Sequence, residues 1–318
     1  MRRYLLRRIP STVVVLFAAS VLIFALIRLV PGNPAEVLAG SDPTPAAVAQ
    51  IRAALGLNHS LVSQYVTWIG HVASFNFGKS YVLGGTVMSL LSQGLANTAV
   101  LALTAIILAA LVAFATSVTA VVLDRGWLNH LTTAAGTFGI GVPTFVTGTA
   151  FVLIFAVALG WLPAGGLPPN GFGDVGQTIR YLVLPAVCLA IPISAVLIRF
   201  LTESLKTQMR QPYVTTARAL GISRRRIVLT QALRNAMPTT VTVFGIQVGA
   251  LLGGTVLIES IFAWPGLGHL LDQAVVQRDY PVVQVMLMLT VALFVITQLV
   301  TDIINAWLDP RIRIGGAE

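Results

Sequence analysis

Residues 211–238, QPYVTTARALGISRRRIVLTQALRNAMP, form the one long polar and strongly basic passage in a chain that is otherwise mostly apolar. Apolar runs at 181–201 and 236–258 flank it, each long enough to cross a bilayer. A basic loop held between two spans is expected to face the cytosol. What docks on it is the functional question.

The composition agrees with that reading. The 318 residues are 56% apolar and only 10% charged, with a mean hydropathy of +0.86. This is the make-up of an integral membrane protein. A net charge of +9 would suit a nucleic-acid partner only if the cations lined a soluble face, and here they fall in short segments between apolar runs. Cys188 lies inside an apolar run, and His59, His71, His130 and His269 share no ligand spacing with it or with one another. That pattern argues against a disulfide framework and a metal site.

The chain opens on MRRYLLRR ahead of an apolar run at 9–30. A signal peptide has the same charged start, but this run is long enough to span, and the following Arg28-Leu-Val-Pro-Gly-Asn-Pro holds no Ala-x-Ala cleavage site. A retained first helix with a cytosolic N-terminus is therefore expected. Residues 31–94 are mixed and punctuated by Pro and Gly, which predicts a small extracytoplasmic subdomain. In it Thr44 caps a helix that starts at Pro45 and stops at Gly56, and an amphipathic helix covers 61–72.

Five further apolar runs, at 98–123, 131–160, 181–201, 236–258 and 282–307, complete an all-α chain of six transmembrane helices with both termini inside. The cations test that topology independently. Inner segments hold Arg2, Arg3, Arg7, Arg8, Arg125, Lys206, Arg210, Arg218, Arg224, Arg225, Arg226, Arg234, Arg311 and Arg313, against Arg52, Lys79 and Arg278 outside. The expected parts are residues 1–30, a subdomain at 31–94, a core at 95–308 with the loop 202–235, and a cytoplasmic tail at 309–318.

Small residues and prolines mark the third and fourth spans. Residues 132–150 are rich in Gly and Thr around Pro143, and the fourth span carries Pro185 and Pro192. Such helices belong in a bundle interior, with Pro143 a candidate for the pathway wall. Carboxylates and histidines, the groups an ion-coupling site would use, are sparse in the spans: the candidates are Glu259 at the outer end of span five and Asp302 near the inner end of span six. An ion-driven carrier would need more than these. Phe77-Gly-Lys-Ser80 imitates the end of a phosphate-binding loop, but Ala73 stands where that loop needs its first Gly. No Gly-x-Ser-x-Gly elbow or His-Glu-x-x-His motif supports a hydrolase.

Within 211–238, residues 213–220 favour a short helix that Gly221 ends, and Ser223 is placed to cap a second one through RRRIVLTQAL. On these grounds alone a protein-docking knob and a basic loop resting on anionic lipid stand level.

Thr-Ala-Arg-Ala-Leu-Gly at 216–221 and Leu-Arg-Asn-Ala-Met-Pro at 233–238 resemble the cytoplasmic coupling loop of permease subunits in binding-protein-dependent ABC importers. The resemblance runs along nearly the whole chain and points to the dipeptide/oligopeptide/nickel branch, first-permease type. It includes Val-Pro-Gly-Asn-Pro-Ala at 30–35, Leu-Gly-Leu at 55–57, Phe-Gly-Lys-Ser-Tyr at 77–81, the long motif at 253–268 and Arg-Asp-Tyr-Pro at 278–281.

It implies a type I importer permease fold in a bacterial cytoplasmic membrane. It also implies a non-catalytic subunit that forms half of the pathway for di- or oligopeptides. Its implied partners are a second permease, two cytosolic ATPase domains that bind ATP and Mg, and an external solute-binding protein. Nickel, glutathione, haem or another small solute is the alternative cargo. An ion-coupled carrier and a non-transporting scaffold are the competing classes.

Carried onto this chain, the resemblance assigns the ATPase joint to Tyr213, Ala217, Arg218, Ala219, Gly221 and Arg224. Arg218 and Arg224 would touch the partner, and Ala217 and Gly221 would allow close packing and the turn. Trp264, Gly266 and Gly268 fall on the binding-protein or entrance side, with Pro143 and Glu259 along the pathway. The wider family motif has Glu-Ala-Ala before the Gly, whereas Thr215-Thr216-Ala217 stands here, so no salt bridge is expected from that position.

Overall fold

The computed structural model describes residues 2–29, 35, 44–54, 56–169 and 171–308, and for 2–9, 54, 252 and 306–308 the backbone alone. Residues 30–34 of the Val-Pro-Gly-Asn-Pro-Ala motif, Leu55, and the tail 309–318 with Arg311 and Arg313 lie outside them. All regular elements among the described residues are helical. Four helices are long and apolar enough to cross a membrane, and the number rises to six when each of two bent helix pairs counts as one span.

The first helix, α1, is Arg2–Leu29. Next, α2 (Pro45–Ala54) starts as expected, with the Thr44 hydroxyl accepting from the Ala47 amide at 3.3 Å and Gly56 at φ +66° just beyond its end. Helix α3 (Leu61–Ala73) is capped by Ser60, whose side chain accepts from the Ser63 amide. Helix α4 (Val87–Leu123) begins well before position 98, where the second span was expected, and is 37 residues long.

The third span departs from expectation. Instead of one helix over 131–160, α5 (Gly126–Gly141) meets α6 (Thr144–Phe151, continued by wider π-type turns over Val152–Ala158) at 95°. Pro143 is the cause: it lacks an amide hydrogen, and its ring forces Val142 into an extended conformation, φ −92° and ψ 120°.

Helix α7 (Val175–Met209) runs unbroken through Pro185 and Pro192, with the Asp174 carboxylate capping the Gln177 amide at 3.1 Å. Helix α8 (Pro212–Ala219) follows. The second short helix expected after Ser223 is not separate. Helix α9 (Arg224–Ile227) passes through π-type turns over Val228–Ala232 straight into α10 (Leu233–Ile261). A 49° bend near Gly253-Gly254 divides this long run. Helices α11 (Leu267–Val276) and α12 (Tyr280–Leu308) complete the described residues.

The helices fall into two compact units. In the first, residues 99–264 with 294–308, α7 is the centre: two thirds of its most apolar window is buried, and α5, α6 and α10 pack on it. Its core includes Leu101, Leu189, Leu197, Ile258 and Phe262. Glycines permit the closest approaches. A Cβ on Gly139 would lie 2.6 Å from that of Ala195, and one on Gly245 2.1 Å from the Thr301 hydroxyl. Gly249 likewise meets the Phe294 ring, so Gly245 and Gly249, four residues apart, form a small-residue face against α12.

The second unit, residues 2–98 with 265–293, has a core that includes Val87, Leu91, Leu267, Val282 and Met286. Beside it, Phe24 of α1 meets Tyr65 and Trp68 of α3, with centroids 5.4 and 5.9 Å away.

Candidate functional site

Helix α8 is set by its own pattern. Pro212 occupies the first turn, where its missing amide hydrogen costs nothing, and Val214 and Ala217 lie one turn apart on one face. Both are buried, in a cluster with Val121, Leu205, Ile227 and Val228. Tyr213 is half-buried and donates its hydroxyl to the Gln208 side chain at 3.2 Å. Gly221 ends the helix at φ +77°, a conformation that disfavours side chains, and its amide donates to the Arg218 carbonyl at 2.9 Å.

The expected joint residues therefore divide. Arg218, Ala219 and Gly221 are exposed, as a docking surface requires. Ala217 turns inward and packs on its own chain. Arg224 is committed as well: its Nε donates to the Val121 carbonyl and its terminal nitrogen pairs with Asp124, both at 2.8 Å. The joint is thus tied to the end of α4 rather than offered whole to a partner. Leu220, 75% exposed, was missed in the sequence reading. An apolar side chain at the tip of an otherwise polar segment is the signal that marked it.

The entrance-side candidates are not on the surface. Trp264 is fully buried, 6.1 Å from the Phe172 ring, because Ala263 takes φ +44° and the Trp264 amide turns back to the Glu259 carbonyl at 2.8 Å. Gly165 lies so near the Phe262 carbonyl that a Cβ there would sit 2.0 Å from it. Gly266 and Gly268 are buried in the second unit, where the Leu267 amide donates to Thr98 at 2.7 Å. Glu259 is fully buried too. Pro143 is exposed at the bend.

A groove of about 660 Å³ lies between α5 and the last turns of α7. Thr133, Thr137, Arg199, Thr202, Glu203 and Lys206 are among its lining. The buried Thr202 hydroxyl has no protein partner, so the groove carries an unused polar group as well as both signs of charge. Pro143 stands just past its Gly141 edge, and Glu259 is not among the lining residues.

The outer motifs are explained by a contact that the sequence alone did not reveal. Asp279, fully buried, accepts from the Ser80 hydroxyl and from the amides of Tyr81, Val82 and Leu83 at 3.3, 3.0 and 3.3 Å. The carboxylate thus joins Phe-Gly-Lys-Ser-Tyr at 77–81 to Arg-Asp-Tyr-Pro at 278–281. Lys79 pairs with Thr86 in a short bridge, and Gly78 takes φ +74°. Ser80 is occupied by Asp279 and opens no helix, unlike the serine of a phosphate-binding loop. Burial raises the Tyr81 pKa, and the nearby Asp279 carboxylate adds to that.

The family described as "Binding-protein-dependent transport system inner membrane component" matches residues 105–314, and its N-terminal companion, "Binding-prot-dependent transport system membrane comp, N-term", matches 1–104. The chain is 37% identical over 310 residues to the "Probable peptide ABC transporter permease protein y4tP" of Sinorhizobium fredii, covering 98% of this chain and 99% of that one. It is 34% identical over 313 residues to the "Glutathione transport system permease protein GsiC" of Escherichia coli K12, with the same coverage. Among solved structures, an inward-facing MetNI methionine ABC transporter chain superposes with a TM-score of 0.58 at 19% identity, covering 70% of this chain and 97% of that one. That last likeness concerns the fold.

Proposed function

Because the chain belongs to the family of binding-protein-dependent transport system inner membrane components, we propose that it forms half of the pathway of an ATP-driven peptide importer, coupled to cytosolic ATPases through residues 212–221. It is a permease subunit of an ABC importer, non-catalytic, with ATP hydrolysis performed by partner subunits. The observation that carries the coupling assignment is the exposed tip of α8, where Arg218, Ala219, Leu220 and Gly221 project from a helix anchored by Val214 and Ala217.

In this reading Leu220 seats in an apolar recess of an ATPase domain and Arg218 meets its acidic rim, while Arg224 passes the motion to α4. ATP and Mg bind to the ATPases, and this chain holds neither. Closure of the ATPase pair moves the tip, and the helices of two permease subunits rock so that the pathway opens outward to a loaded solute-binding protein. The groove between α5 and α7 forms this chain's wall at the inner end, with Arg199, Glu203 and Lys206 suited to a zwitterionic cargo. Peptide is favoured by the name of the Sinorhizobium relative, and glutathione is the second reading, favoured by that of the Escherichia relative.

The test is to co-express the chain with its neighbouring genes and measure ATP hydrolysis in lipid, with and without the candidate binding protein loaded with dipeptide, oligopeptide or glutathione. Stimulation only in the full assembly is the expected result, and the stimulating cargo separates the two readings. Transport by the isolated chain under an ion gradient would overturn both.

A further inference from the structure

The second unit contains a pocket of about 410 Å³ that the transport reading does not use. Its lining includes Arg28, Gln64, Trp68, Lys79, Tyr280 and Gln284, and among the described residues no Asp or Glu. The adjacent Asp279 carboxylate is already occupied by Ser80 and three backbone amides.

Two of the lining side chains have unused polar atoms. Gln284 is only 8% exposed and its Nε2 has no partner, and the Tyr280 hydroxyl is buried without one. Unpaired buried donors beside cations call for an acceptor-rich, negatively charged ligand. Arg28 is held in place for one: a terminal nitrogen donates to the Gln64 side-chain oxygen, and the guanidinium sits 4.4 Å from the Phe24 ring centre. Gln64 is fixed in turn by donating to the carbonyls of Leu57 and His59 at 3.2 and 2.8 Å.

Depth selects among anions. The apolar part of α1, Pro10–Leu29, is 20 residues long, which at ~1.5 Å per residue equals the ~30 Å hydrocarbon thickness. Arg28 therefore stands at the outer headgroup level, with Trp68 and Tyr81 as aromatic neighbours suited to that boundary. On the same helix, Val14, Phe17, Val21, Leu22, Leu26 and Leu29 form an almost wholly apolar groove. We propose that this pocket is a built oxyanion site for the phosphate of an outer-leaflet phospholipid, whose acyl chains lie in the α1 groove.

The experiment uses the chain co-purified with its partner subunits in detergent, titrated with phosphatidylglycerol and read by native mass spectrometry. One tightly retained lipid is expected in the wild type. Arg28→Gln and Gln284→Leu should each weaken that retention about ten-fold, the loss of one charge-assisted or buried hydrogen bond. Arg28→Lys keeps the charge, so it supplies a folded comparison if Arg28→Gln fails to assemble. Inorganic phosphate should not displace the lipid. Equal retention by all variants would overturn the proposal, and displacement by inorganic phosphate at millimolar concentration would replace the lipid with a soluble anion.

Discussion

Arg224 and Asp124 meet at 2.8 Å, and the same guanidinium donates to the Val121 carbonyl, so the basic segment is tied to the cytosolic end of α4. The two bonds are unequal. Asp124 is 55% exposed, and an ion pair of that kind contributes only ~0.2–1 kcal/mol. The bond to the carbonyl of buried Val121 is a charge-assisted hydrogen bond, worth ~1.5–3 kcal/mol, and outweighs it. Arg224→Ala should lower binding-protein-stimulated ATP hydrolysis several-fold in the reconstituted complex, while Asp124→Asn should have little effect. An equal loss from both would assign the joint to the ion pair.

Leu220, which caps the C-terminus of α8, should be the most sensitive exposed position at its tip. Leu220→Asp puts a charge where an apolar side chain is 75% exposed, so the isolated chain should keep its thermal midpoint. Its partner ATPase should be lost on co-purification. The neighbouring Gly221→Val separates strain from contact. No atom lies within 4 Å of a Cβ built there, yet φ is +77°, a left-handed conformation that costs a side chain ~1–2 kcal/mol. Uptake should fall while insertion persists, and normal uptake would remove α8 from the coupling route.

Asp279 should matter for stability more than its place in an outer loop suggests. Asp279→Ala leaves the Ser80 hydroxyl and three amides without their acceptor, at a cost of roughly 2–4 kcal/mol. A lower unfolding midpoint, with faster proteolysis across 80–85, is the expected readout. An unchanged midpoint would mean that water replaces the carboxylate at no cost.

The glycine face of α10 supplies an internal comparison. Gly245→Ala would place a methyl 2.1 Å from the Thr301 hydroxyl, whereas Gly253→Ala meets nothing within 4 Å. The first should destabilise by ~1–3 kcal/mol through overpacking. The second should be near neutral or slightly stabilising, because alanine favours helix. Thermal unfolding in detergent of the two variants decides it, and equal effects would mean that the α10–α12 approach is looser than described.

Hydropathy and cation placement made the spans and the cytosolic face legible, because lipid demands apolar length and the inner face collects arginine. Local chemistry gave the Thr44 cap, the Gly56 stop and the Gly221 turn, since each is settled by neighbouring backbone atoms. The 95° break at Pro143 was only half legible. A proline disrupts a helix wherever it stands, yet Pro185 and Pro192 lie within a helix that continues, since packing on the neighbouring helices holds α7 together.

The sequence by itself determined an all-helical membrane chain with its basic segment inside, because composition, periodicity and turn residues act over a few positions, and only the resemblance of its motifs to a known family added the permease role. Only the tertiary structure decided which side chains remain available. Arg218 and Leu220 face outward, Ala217 turns into the core, Arg224 is bound to Val121 and Asp124, and Trp264 is enclosed. Likewise Asp279 and Ser80 meet only when distant segments fold together. Burial and hydrogen-bond partners belong to the packed chain, so a motif can nominate these residues while packing alone assigns their roles.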